Sequence, residues 1–197
     1  MTDDVINHYD MLVEEGNDPV LDPPPLQEYM DKWDGKIFLD LLELNGQQSV
    51  LEIGCGTGRL ALKTAPHSKE FFGIDISPKT IETAKTHLPF DNVTLICDDF
   101  MTHRFSNKFD VIYSSLTFMH IRDKSKAVGR VFELLNPRGR FVLSIDKNQA
   151  KTIDLGTRSV EIYPDTPENI NELLKQNSFS EIEEFETEFA YLFLAKK

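Results

Sequence analysis

The sequence predicts an α/β fold, a doubly wound and mostly parallel sheet with helices on both faces, and three observations carry that prediction. Apolar runs of strand length alternate with amphipathic helical stretches from residue 50 to residue 145, the order that specifies parallel strands joined by crossover helices. The stretch 50–60, VLEIGCGTGRL, runs from a strand through three alternate glycines into a helical pattern. Two segments of alternating apolar character, 180–186 and 188–195, end the chain as a hairpin.

Residues 5–13 have the pattern of a short helix, stopped by Pro19 and by Pro23, Pro24 and Pro25. From 26 to 44, apolar residues recur at intervals of three and four, predicting one amphipathic helix weakened in its middle by Gly35 and closed by Asn45-Gly46. The first strand then leads into Gly54, Gly56 and Gly58. Glycine at alternate positions lets the backbone turn sharply and lets a ligand approach main-chain atoms, because no Cβ intervenes. A helix opening at Gly58 points free N–H groups and its positive dipole end above the strand.

The second strand is 71–76, ending in Asp75, and Ser77-Pro78 caps a helix running to Leu88. The third strand is 93–97, followed by Asp98, Asp99 and Phe100; the fourth is 109–114. Residues 123–135 form a helix with a basic outer face, Lys124, Lys126 and Arg130. A turn and fifth strand follow in 134–144, then a short strand at 159–163 and a helix at 167–176.

Composition narrows the function classes. A chain of 197 residues, 40% hydrophobic and 27% charged, is one globular domain of ordinary size. No run approaches the roughly 20 apolar residues of a membrane span, and the opening MTDDVINHYD lacks the basic and apolar regions of a secretory signal. A cytoplasmic location and no membrane partner are expected. Cys55 and Cys97 agree with a reducing compartment and read as small buried residues, too far apart to bridge. No His or Cys pair has zinc-ligand spacing, so no metal is expected. The net charge of −12 is concentrated, with ten acids against one base in residues 1–34 and nine acids against four bases from 158 onward. Such a surface disfavours nucleic acid. The acidic N-terminal segment is either a solvated face or a field that draws in a cationic acceptor.

Two nucleotide-binding patterns share the glycine-rich look. The dinucleotide fingerprint G-x-G-x-x-G, counted from Gly54, demands glycine where Arg59 stands. What stands here is E-x-G-x-G-x-G, opening at Glu52. This resembles the first motif of class I S-adenosylmethionine (SAM) dependent methyltransferases, and the resemblance continues down the chain. It implies a Rossmann-like, seven-stranded, mostly parallel sheet with a C-terminal antiparallel hairpin, an N-terminal helical cap over residues 1–45 and a SAM-binding core over 46–197. In the turn before the fifth strand, Arg138 replaces the first glycine usual in the family.

The resemblance also implies a site. Glu52, Gly54, Cys55, Gly56 and Gly58 form the loop under the cofactor, and Asp75 at its strand tip accepts hydrogen bonds from the ribose hydroxyls, with Ile76 against the adenine. Asp98 takes the adenine amino group and Asp99 supplies a backbone N–H, two roles this spacing leaves interchangeable, with Phe100 beside them. Ser114, Ser115 and Leu116 run beneath the methionine portion. His120, at the pocket mouth, is the candidate general base for an acceptor that needs deprotonation. Tyr9, Tyr29 and Trp33 are candidates to line the acceptor pocket, Trp33 having core packing as its alternative. The implied reaction is methyl transfer from SAM, leaving S-adenosyl-L-homocysteine, to a small-molecule acceptor. Two alternatives stand beside it: a SAM-binding protein without catalysis, and an NAD(P)-dependent oxidoreductase, which Arg59 opposes.

Overall fold

The computed structural model describes residues 2–197, so position 1 of the expected cap lies outside the described residues. Five neighbouring parallel strands belong to one seven-stranded sheet: β1 (Ser49–Ile53), β2 (Glu70–Asp75), β3 (Val93–Cys97), β4 (Phe109–Ser115) and β5 (Leu135–Asp146). A separate ribbon, β6 (Thr152–Asp154) and β7 (Ser159–Glu161), precedes the closing hairpin of β8 (Ser180–Glu186) and β9 (Ala190–Lys196). The sheet order is β3-β2-β1-β4-β5-β9-β8, with β9 antiparallel to both β5 and β8. Strand order therefore reverses beside β1, between β1 and β4, and in open α/β sheets a ligand crevice lies at such a switch.

Side-chain alternation along each strand divides the core into two layers. Val50 of β1 faces Phe38, Leu60, Phe71, Tyr113 and Leu192, whereas Leu51 and Ile53 face Ile112, Val128, Phe141, Ile170 and Phe193. Helices α3 (Gly35–Leu42), α4 (Ala61–Thr64) and α5 (Pro78–His87) cover the first layer. Helices α6 (Lys124–Leu134) and α7 (Pro167–Gln176) cover the second. The remaining helices, α1 (Thr2–Glu14) and α2 (Pro24–Met30), lie in the N-terminal segment, and α1 packs on α5 and β7. No helix among the described residues is long and apolar enough to cross a membrane.

Several expectations are corrected. The helix expected across 26–44 is two helices, because Gly35 takes φ +62° and Asp34 caps α3 by accepting its N–H at 2.7 Å. That break lets Phe38 and Leu42 pack wholly inside the core while α2 stays outside it. The helix after the glycine loop starts at Ala61, not Gly58, and lasts four residues before a 3-10 turn. The basic face of α6 is not all solvent-facing: Lys124 is buried against Asp165 at 2.8 Å, and Arg130 donates to the Phe100 and His103 carbonyls. Cys97 is exposed, whereas Cys55 is buried. Arg138 holds the left-handed conformation (φ +66°) that glycine would take at no cost.

Candidate cofactor and acceptor site

The glycine loop is built by hydrogen bonds between strand tips. Past the end of β1, Gly54 N–H donates to the Ile74 carbonyl at 2.8 Å, and Gly56 N–H donates to Asp75 Oδ2 at 3.0 Å. Gly54 takes φ +74°, and a Cβ there would meet Thr117 Oγ1 at 2.0 Å, so the close approach of the loop after β4 excludes any side chain. At Gly56 a Cβ would meet nothing within 4 Å. That open space belongs to a cavity of about 530 Å³ above the carboxyl ends of the parallel strands, a volume in the range that encloses small ligands and cofactors.

Thirteen of the expected residues meet on this cavity: Glu52, Gly54, Cys55, Gly56, Asp75, Ile76, Asp98, Asp99, Phe100, Ser115, Leu116, Tyr9 and His120. Asp75 lines it from the tip of β2. Its Oδ1 accepts the Ser77 N–H at 3.0 Å, its Oδ2 accepts Gly56 at 3.0 Å, and the Ile76 backbone N–H adds a third bond to the carboxylate. Burial pushes its carboxyl above the usual carboxylate range. Asp98 is exposed, with Oδ2 on His103 Nδ1 at 2.8 Å, a contact that holds its carboxyl low. Its Oδ1 takes the Asp99 N–H at 2.8 Å, so the backbone donor expected of Asp99 is already engaged by its neighbour.

Gly58, Ser114 and Trp33 do not line the cavity. Gly58 turns against Leu88, whose Cδ1 stands 3.0 Å from where a Cβ would be. Ser114 is fully buried and donates to the Ile53 carbonyl at 2.9 Å; its neighbour Ser115, on the opposite side of the pleat, reaches the cavity. Trp33 packs with Tyr29 and Phe189 against the β8–β9 end, and Tyr29 stays with it outside the cavity.

The catalytic candidate has a partner the sequence did not indicate. Tyr9 Oη, from α1, lies 2.8 Å from His120 Nε2. His120 stands on the 3-10 turn Phe118–His120, and Lys124 fixes this turn by donating to the Phe118 carbonyl at 2.8 Å. Burial lowers the His120 pKa to about 4, so the imidazole is neutral across the physiological range, and its Nδ1 is buried without a hydrogen-bond partner. Burial, then the Asp75 charge, pushes the Tyr9 hydroxyl well above its ordinary range. Glu52 is likewise pushed up by burial, to about 8, against the opposing hydrogen bond from Tyr113 Oη at 3.0 Å.

Arg59 and Asp34 form the second feature that sequence reading missed. Asp34, fully buried, accepts from Arg59 Nη1 at 3.1 Å, from Arg59 Nη2, and from Ser115 Oγ at 2.9 Å. It thereby joins the N-terminal segment to the glycine loop and to the end of β4. An isolated acid in a run of acids carries no pattern that marks it for this role.

A second cavity, about 280 Å³, lies between the end of β5 and the β6–β7 ribbon. It shares Leu116 and Met119 with the first. Leu116, at the junction, holds φ +57°, a conformation a branched apolar residue adopts only when its surroundings impose it.

Comparison with known proteins agrees with this architecture. Malonyl-[acyl-carrier protein] O-methyltransferase 1 of Ilyobacter polytropus is 36% identical over 107 residues, 52% of this chain and 40% of that protein. Phosphoethanolamine N-methyltransferase 3 of Arabidopsis thaliana is 34% identical over 113 residues, 55% of this chain and 23% of that protein. The matched stretch thus spans well under half the length of either relative. Among solved structures, the N-methyltransferase NodS of Bradyrhizobium japonicum, in complex with S-adenosyl-L-homocysteine, superposes with a TM-score of 0.72 at 20% identity, covering 98% of both chains, a likeness of fold. Residues 44–188 match the family model described as "Methyltransferase domain", and the chain belongs to the class I SAM-dependent methyltransferase family.

Proposed function

We propose that this protein transfers a methyl group from SAM to a small-molecule acceptor. One observation carries the reading: the cavity of about 530 Å³ is lined together by Gly54, Gly56, Asp75 and the hydrogen-bonded Tyr9–His120 pair. SAM, when bound, supplies a methyl group on a sulfonium, which leaves as a neutral thioether. The donor set fits it. Asp75, at the tip of β2, offers the ribose hydroxyls the acceptor capacity its backbone bonds leave, Ile76 and Phe100 offer apolar walls to the adenine, and Gly56 leaves space for close approach. Glu52, Arg59, Ser115 and Leu116 surround the other end, where the amino-acid portion would lie.

Because the departing thioether needs no proton, the protein's main contribution is to hold two reactants in line, worth roughly 7–11 kcal/mol of barrier. His120, neutral at physiological pH and bonded to Tyr9, is placed to accept a proton from an acceptor acidic enough to yield it to so weak a base. The relatives divide between an O-methyltransferase acting on a malonyl-[acyl-carrier protein] and a phosphoethanolamine N-methyltransferase, so their names leave the acceptor atom open. The test is incubation of the purified chain with methyl-labelled SAM and a fractionated metabolite and protein extract. Label in the small-molecule fraction supports the reading. SAM binding with no label transferred to any fraction overturns the enzymatic part and leaves a binding protein.

A further inference from the structure

Resting on the methyl-transfer reading, we propose that the second cavity is the acceptor's seat and that the acceptor is a small amine with a compact apolar body. The two cavities share a wall at Leu116 and Met119, so a molecule seated in the smaller one faces the sulfonium end of the cofactor site. The smaller cavity's volume of about 280 Å³ limits its occupant to roughly the size of a single substituted ring. Ile145, Ile153, Ile162 and Phe118 supply apolar walls.

Its charge is one-sided. Asp146, Asp154 and Asp165 line it, and no Lys, Arg or His does. Lys124 neutralises Asp165 at 2.8 Å. Asp146 and Asp154 each accept on Oδ1 a backbone N–H of their own turn, from Asn148 and Gly156 at 2.7 Å, and their Oδ2 atoms make no hydrogen bond or ion pair with another described residue. A carboxylate or phosphate placed here would face two carboxylates with no cation to offset them, whereas an ammonium group would be held.

The chemistry balances. The ammonium loses one proton to solvent water, since the His120 imidazole, held neutral by burial, is too weak a base to take it. The freed nitrogen lone pair then forms the N–CH3 bond as the S–CH3 bond breaks, its electron pair staying on sulfur. Positive charge passes from sulfonium to the methylated ammonium.

The experiment titrates S-adenosyl-L-homocysteine-saturated protein with benzylamine, benzyl alcohol and benzoate, and assays each with labelled SAM. The expected order is benzylamine bound at least tenfold more tightly than the other two, and methylated. The Asp146→Asn, Asp154→Asn double variant should raise the benzylamine KM at least tenfold while binding S-adenosyl-L-homocysteine within twofold of wild type. Equal binding of the three probes, preference for benzoate, no benzylamine binding, or an unchanged KM in the double variant overturns the amine assignment while the methyl-transfer reading stands. Failure of the wild type to bind S-adenosyl-L-homocysteine overturns both. If the double variant does not fold, the comparison of the three probes on wild type decides.

Discussion

Single residues carry most of the chemistry, and two of them make opposite demands on pH. Glu52 has its pKa raised from 4.5 to about 8, so the folded protein holds a proton there that the unfolded chain has released, and its stabilising effect is lost as pH rises toward 8. Glu52→Gln, which keeps the shape without the titration, should match wild type near pH 4, gain on it by about 1.4 kcal/mol per pH unit between about pH 5.5 and 7, and level off above about pH 8, measured by urea unfolding. His120 runs the other way: lowered from 6.5 to about 4, it costs stability as pH falls through that window. For catalysis, Tyr9→Phe and His120→Asn should each lower kcat by roughly 10²–10⁴-fold while affinity for S-adenosyl-L-homocysteine changes little. A loss confined to KM would make the pair a binding contact instead. That Gly54, Gly56 and Asp75 line one cavity was legible because their placement follows from backbone reach and strand-tip position. Ser114 was misplaced by one step of the pleat, and Tyr9 could not be paired with His120 because 111 residues separate them.

At the scale of elements, the decisive event is the break between α2 and α3. Helical periodicity runs unbroken through residues 26–44 and gave no reason to expect it beyond Gly35, because periodicity reports which face is apolar and not whether a side chain is needed elsewhere. Asp34 is needed elsewhere, against Arg59 and Ser115. With the Asp34 side chain fully buried and Arg59 15% exposed, Asp34→Ala leaves the guanidinium only its longer contact with Asp31 at 3.6 Å, and the expected loss is about 3 kcal/mol in urea unfolding. A loss under about 1 kcal/mol, the value of a surface pair, would mean that the contact is dispensable. The strands were legible almost residue for residue, β3 and β8 with the bounds the sequence gives them. The β6–β7 ribbon was half seen, since three-residue strands carry too little alternation to register.

Over the whole molecule, the acidic N-terminal segment is less an open field than a set of fastenings. Asp10 accepts from Ser77 and Lys79, Glu14 pairs with Lys79, and Glu15 with Arg158. Asp18 meets Thr57 and His87, while Asp31 and Asp34 meet Lys63 and Arg59. These pairs hold α1 and the following loop across the carboxyl ends of the strands, which is why Tyr9 reaches the cavity. Steering of a cation by this segment loses its basis when so many of its charges have partners, and the one-sided charge that remains lies in the smaller cavity instead. Charge counts told where the acids are but not what they touch.

The account rests on the cavity above Gly54, Gly56 and Asp75 being a SAM site, and calorimetric titration with SAM tests that most directly. One binding site per chain, weakened at least tenfold in Asp75→Ala protein that remains folded, is the predicted result; no binding, unchanged affinity in Asp75→Ala, or binding of NAD in its place would contradict it.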